Sequence, residues 1–294
     1  MKDGIKFYVN NWIFGDAALT EVCRRVAAIG FDGIELVGEP EQYDAAEVRR
    51  VCSDNGLHVL SICGMHPGPK AGDLRLLSHP SADERRRAVD YVKACVDLAA
   101  GVGARSVLVV PSLVGQPASI VSREADLQAS VEPLRQAAEY AGSCGMLLTI
   151  EPINRYEVGL VNSLAEAMAL AKQVAHSACR VMGDTFHMQI EEGDGIANAI
   201  RRAGCYWLHH LHAADNTREA PGMGTMPWRE IMRALYDIDY QGGVSLEPLP
   251  KGASPYDARR GHIPAETLDA ELKAGLAHLR DMQRLARPYT PAGG

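Results

Sequence analysis

Paired cysteines are missing from this chain. Its seven cysteines (Cys23, Cys52, Cys63, Cys95, Cys144, Cys179 and Cys205) are odd in number, widely scattered and never spaced C-x-x-C. That excludes a disulfide framework and reads as reduced thiols in a cytoplasmic compartment. A basic block is also missing: Lys and Arg do not gather beyond short stretches such as Glu84–Arg87, and the net charge is −7. A nucleic-acid partner needs a basic footprint, so none is expected. No apolar run approaches bilayer-spanning length, and MKDGIKFYVN lacks the basic region and apolar core of an export signal. Neither membrane insertion nor export is therefore expected. Finally, no G-x-G-x-x-G follows the first strand-like run, where Asn10, Asn11 and Trp12 stand instead. This weighs against a doubly wound nucleotide-binding sheet.

What is present is a repeat of apolar runs and helical segments. Eight runs read as strands: Ile5–Asn10, Gly33–Val37, His58–Cys63, Ser106–Pro111, Met146–Pro152, Arg180–Asp184, Trp207–His212 and Gly243–Pro248. Most are nearly continuous in Val, Ile and Leu, as parallel strands covered on both faces should be. The intervening segments carry helical period. In the first, Leu19, Val22, Cys23 and Val26 follow an expected N-cap at Asp16, and Gly30 ends the helix. Gly56, Gly103, Gly145 and Gly204 repeat that punctuation. Eight such units predict an α/β fold, a (β/α)8 TIM barrel forming one domain over residues 1–294, with a disordered tail from about 287. The connection from Met65 to Ala82 is long and Pro/Gly-rich, and reads as a lid.

In the second half, four strand-like runs end in a metal-ligating side chain: Glu151 in LLTIEP, Asp184 in VMGD, His212 in LHHLH and Glu247 in VSLEP. A buried strand end is an expensive place for a charge unless something pairs with it. If the ends converge, three carboxylates and one imidazole make a divalent-metal site. The functional face of a TIM barrel is the carboxyl end of its strands, where all four fall. Glu157, His187 and Arg218 each follow one of them by a short step and are types that grip a polyhydroxylated ligand. Strand alternation puts His210 on the same face as His212, one layer deeper, with His209 pointing away. Asp215 reads as a loop acid rather than a fifth ligand.

The segments EPINRYE, GDTFHMQIEE, LHAADNTREAPGMGTMPW and SLEP, taken together, resemble the D-tagatose 3-epimerase / D-psicose (D-allulose) 3-epimerase family of xylose-isomerase-like TIM barrels. The resemblance implies that Glu151, Asp184, His212 and Glu247 hold one divalent ion. It implies further that Glu151 and Glu247 are the catalytic acid/base pair, and that Glu157, His187 and Arg218 hold the sugar. The implied reaction is 3-epimerisation of a free ketose through a cis-enediolate. Inverting a carbon beside a carbonyl needs metal polarisation and a proton carrier on each face. With no cysteine expected at the site, the ligand set suits Mn2+, Co2+ or Mg2+ over a thiolate-preferring metal, and Mn2+ is the ion expected.

Three carboxylates around one ion suit a neutral ketose, although Arg259 and Arg260 could meet a phosphate. A homodimer or homotetramer is expected. Two departures from the family bear on substrate choice: Pro111–Gly115 lacks the aromatic usual after the fourth strand, and PLPKGASPYDARRGH after the eighth is unusual. They keep open a lyase or dehydratase working by β-elimination on a keto-sugar or inosose, including a 3-oxo-glycoside deglycosidase. A hydroxypyruvate-type isomerase is a third reading.

Overall fold

The structure, a computed structural model, describes residues 4–255, 258 and 261–288. Eight parallel strands close into a barrel in sequence order. They are β1 (Lys6–Asn10), β2 (Gly33–Gly38), β3 (His58–Gly64), β4 (Ser106–Val109), β5 (Leu147–Ile150), β6 (Cys179–Asp184), β7 (Leu208–Ala213) and β8 (Gly243–Leu246). Pairing of Lys6 with Gly243 and of Phe7 with Val244 shuts the ring. This is the TIM barrel expected from the runs of Val, Ile and Leu, whose side chains make up most of the buried core.

The helices form the outer layer: α1 (Leu19–Ile29), α2 (Ala45–Asp54), α3 (Ala82–Val102), α4 (Arg123–Ser143), α5 (Leu164–Val174), α6 (Thr185–Glu191), α7 (Ile196–Trp207), α8 (Trp228–Asp237) and α9 (Ala265–Ala286). Strand ends differ from the sequence reading by one or two residues, and two of the differing boundaries have a local cause. The α1 N-cap is Ala18, with no side-chain cap, rather than Asp16. Trp207 ends α7 instead of opening β7, because the helical turn resumes after the break at Gly204. The short α6 carries too few residues to show a helical period, and sequence periodicity missed it.

Joints between helices and strands require left-handed backbone, and Gly30, Gly56, Gly103, Gly145 and Gly204 supply it. At the two remaining joints Ala175 (φ 56°) and Asp239 (φ 51°) take the same conformation without being glycine.

The connection after β3 is tied down. Arg75, with a side chain 8% exposed, makes a bidentate pair with Glu39 at 2.8 and 3.0 Å and another contact with Asp73 at 2.8 Å. Its guanidinium also lies 4.0 Å from the centre of the Tyr91 ring. The segment expected to be a lid is thus latched to the end of β2 and to α3. Of the expected tail, residues 289–294 lie outside the described residues, as do Arg259 and Arg260.

Candidate metal and sugar site

Strand register brings the expected ligands together. Asp184 pairs directly with His212 across β6 and β7. Glu151 is the first residue beyond β5 and Glu247 the first beyond β8, so they enter from either side of that pair. All four are buried. His212 Nδ1 lies 3.6 Å from Glu151 Oε1 and 3.4 Å from Glu247 Oε2. Ligand atoms of Asp184, His212 and Glu247 all lie within 4.8 Å of one another, and so do those of Glu151, Asp184 and His187.

Two atoms in this cluster are buried without a hydrogen-bond partner. Asp184 caps α6, its Oδ1 accepting from Phe186 N at 2.7 Å, while Oδ2 is buried without a hydrogen-bond partner. His212 Nε2 contacts Glu35 Oε2 at 2.8 Å, while Nδ1 is buried and unpartnered. A buried polar atom left unsatisfied costs about 1–3 kcal/mol, so native structures rarely keep two side by side. A divalent cation fits both, together with the carboxylates of Glu151 and Glu247.

The charges respond to burial and to each other. Burial pushes Glu151 up to about 7 and raises Asp184. At Glu247 burial is outweighed by His212 and Arg218, which hold its carboxyl down at about 2. Burial disfavours protonated His212, yet Glu247 and Glu35 raise it well above the ordinary histidine value. A metal ion entering here would therefore displace protons.

The three expected sugar-gripping residues stand beside this cluster. Arg218 reaches Glu247 Oε1 at 3.5 Å and Glu157 Oε1 at 3.6 Å, and its guanidinium lies 4.8 Å from the Phe186 ring centre. His187 Nε2 is 3.8 Å from Asp184 Oδ2. Asn154, which the sequence reading passed over inside EPINRYE, links them: its Nδ2 donates to Glu157 Oε1 at 2.9 Å and contacts His187 Nδ1 at 2.7 Å. An amide nitrogen can only donate, so His187 Nδ1 accepts and Nε2 keeps the proton, turned toward the cluster.

Asp215 is the loop acid expected. It takes hydrogen bonds from the backbone of Asn216, Gly222 and Met226 and from Trp228 Nε1, organising the loop that carries Arg218.

Other neighbours were not foreseen. Trp12 Nε1 donates to Glu247 Oε2 at 3.0 Å. Glu35, wholly buried, touches His212 from below. Among the described residues, the side-chain groups that could hold a metal contain no cysteine; Cys63, buried on β3, is close enough for its thiol to feel the charges of Glu35, His212, Glu247 and Glu151. Burial and the three carboxylates raise its pKa well above the ordinary value, keeping it a thiol rather than a thiolate ligand. His210, by contrast, lies one layer below His212 as strand alternation predicts, with Nε2 3.0 Å from Glu35 Oε1.

A profile of the xylose isomerase-like TIM barrel family matches residues 23–282. D-psicose 3-epimerase of Ruminiclostridium cellulolyticum is 34% identical over 260 residues, covering 85% of this chain and 84% of the relative. D-psicose 3-epimerase of Agrobacterium fabrum is 33% identical over 262 residues, covering 85% and 86%. A crystal structure of D-psicose 3-epimerase with D-tagatose, from Clostridium cellulolyticum H10, superposes with a TM-score of 0.83 at 30% identity, covering 95% of this chain and 99% of that one. Matched along most of its length and sharing the same barrel, the chain belongs to the xylose isomerase-like TIM barrel family and, within it, to the D-tagatose 3-epimerase / D-psicose 3-epimerase group.

Proposed function

We propose that this protein is a metal-dependent ketose 3-epimerase acting on a free ketose. The observation that carries the reading is the approach of Glu151 and Glu247 to His212 Nδ1 from opposite sides, at 3.6 and 3.4 Å. Glu151, Asp184, His212 and Glu247 would hold one divalent ion, Mn2+ before Co2+ or Mg2+, since their oxygen and nitrogen donors favour those metals over thiolate-preferring ones. When bound, the ion would supply Lewis-acid polarisation of the substrate carbonyl.

The protein's own groups do the rest. Glu151 or Glu247 takes the proton from substrate C3, leaving a planar cis-enediolate, and the other glutamate returns a proton to the opposite face. Glu157, His187 and Arg218 hold the hydroxyl groups, fixing C3 between the two carboxylates. Burial of the cluster keeps water from competing for the transferred proton.

The protein is further proposed to be cytoplasmic, consistent with seven cysteines that are all free. No helix among the described residues is long and apolar enough to cross a membrane. Assembly as a homodimer or homotetramer is supported by exposed Val121 and Tyr156, on loops bridged by Gln116 and Val158. Light scattering tests it.

The deciding experiment incubates Mn2+-loaded protein with a panel of ketoses in deuterium oxide. Deuterium at C3 with a C3-epimeric product is expected. Release of a leaving group would move the assignment to β-elimination, and an aldehyde product to a hydroxypyruvate-type isomerase.

A further inference from the structure

Glu35 sits mid-strand in β2, wholly buried in the barrel interior, with a full set of partners drawn from three other strands. Oε1 accepts from Ser61 Oγ of β3 at 2.8 Å and faces His210 Nε2 of β7 at 3.0 Å. Oε2 accepts from Asn10 Nδ2 of β1 at 3.2 Å and meets His212 Nε2 at 2.8 Å. An unpaired carboxylate at this depth would be severely destabilising, so the four contacts explain how it is tolerated. They do not explain why a carboxylate stands there at all.

The contact with His212 does. A carboxylate accepts and cannot donate, so the 2.8 Å contact fixes the proton of His212 on Nε2. Once the ring has released its other proton, the lone pair that ligates is on Nδ1, the atom that is buried, without a hydrogen-bond partner and turned toward Glu151 and Glu247. Asn10 and Ser61 hold the carboxylate from β1 and β3, so the imidazole ring is oriented from the far side of the barrel.

We propose that Glu35 is the positioning residue of the metal site: it sets the tautomer and plane of His212 and strengthens Nδ1 as a ligand. The inference rests on the metal-binding reading given above. Glu35 itself stays out of reach of substrate, one layer below the ligands, and acts only through His212. Outer partners of this kind typically contribute about 10- to 100-fold in metal affinity.

The test measures Mn2+ affinity by competition with a chromophoric chelator, in wild type and in Glu35→Gln, with His212→Ala as the reference variant. Glu35→Gln is expected to bind Mn2+ about 10- to 100-fold more weakly. In Mg2+-loaded, 15N-labelled protein, the His212 Nε2 proton should resonate far downfield in wild type and move upfield in the variant. A residue that merely filled space would leave that resonance in place. Wild-type affinity and an unmoved resonance in Glu35→Gln, with binding abolished in His212→Ala, overturn the role of Glu35 alone. Undiminished binding in His212→Ala instead overturns the metal site on which it rests. Should Glu35→Gln not fold, Ser61→Ala removes one support of the same carboxylate without touching His212. A weaker Mn2+ affinity is then expected, and an unchanged one overturns the proposal.

Discussion

Trp12 Nε1 donates to Glu247 Oε2 at 3.0 Å, tying the turn after β1 to the end of β8 across the closure of the barrel. The indole therefore holds one oxygen of a proposed acid/base carboxylate and limits how that group can turn. Trp12→Phe keeps the aromatic bulk and removes the N–H. A hydrogen bond to a charged group contributes roughly 1.5–3 kcal/mol. Hence kcat/KM should fall about 10- to 150-fold while metal content is unchanged. Losing the donor also destabilises the carboxylate, so the acidic limb of the pH–rate profile should move to higher pH. Steady-state kinetics across pH, with metal analysis of the same samples, would check both.

Replacing Glu247 with Gln retains an oxygen that can ligate and removes the proton carrier. Turnover should fall by at least about 100-fold, the contribution of one general acid/base, while Mn2+ is retained more weakly. A near-normal rate would move the acid/base role to His187 or Glu157.

Arg218→Ala should leave the metal in place and damage substrate positioning. Loss of a charged hydrogen bond corresponds to about a 10- to 150-fold drop in kcat/KM. Emptying of the metal site in this variant would mean that Arg218 supports the ligands themselves, through its 3.5 Å contact with Glu247. An unchanged rate would make it a bystander.

Metal uptake should depend on pH with a definite sign. Burial raises Glu151 to about 7, and the carboxylates around His212 raise that group well above 6.5. Both bind protons in the metal-free chain and must release them to ligate, so affinity should climb as pH rises through about 7 and be lost below it. Calorimetry of Mn2+ binding in buffers of different ionisation enthalpy would count the protons released. Affinity independent of pH between 6 and 8 would contradict this.

Much of the barrel was legible because buried parallel strands write themselves as runs of Val, Ile and Leu. Four of those runs end in Glu151, Asp184, His212 and Glu247, so the proposed ligands are visible as strand ends. Glu35 could not be read that way. It lies inside GIELVG rather than at its end, and its partners Asn10, Ser61 and His212 come together only through strand register. Trp12 was opaque for a different reason: an indole after a strand looks like core until Glu247 is placed against it. The latch of Arg75 on Glu39 is likewise a contact between separate connections, invisible to any local pattern.

The left-handed joints at Ala175 and Asp239 have a practical consequence. They lie where helices hand over to strands, at the opposite end of the barrel from the ligand cluster. A non-glycine residue in this conformation costs roughly 1–2 kcal/mol, partly offset by the greater chain entropy that glycine would lose. Glycine at Ala175 should thus raise the melting temperature slightly without altering kinetics. Thermal robustness and chemistry occupy separate ends of the molecule, so each can be adjusted by mutation while the other is left alone.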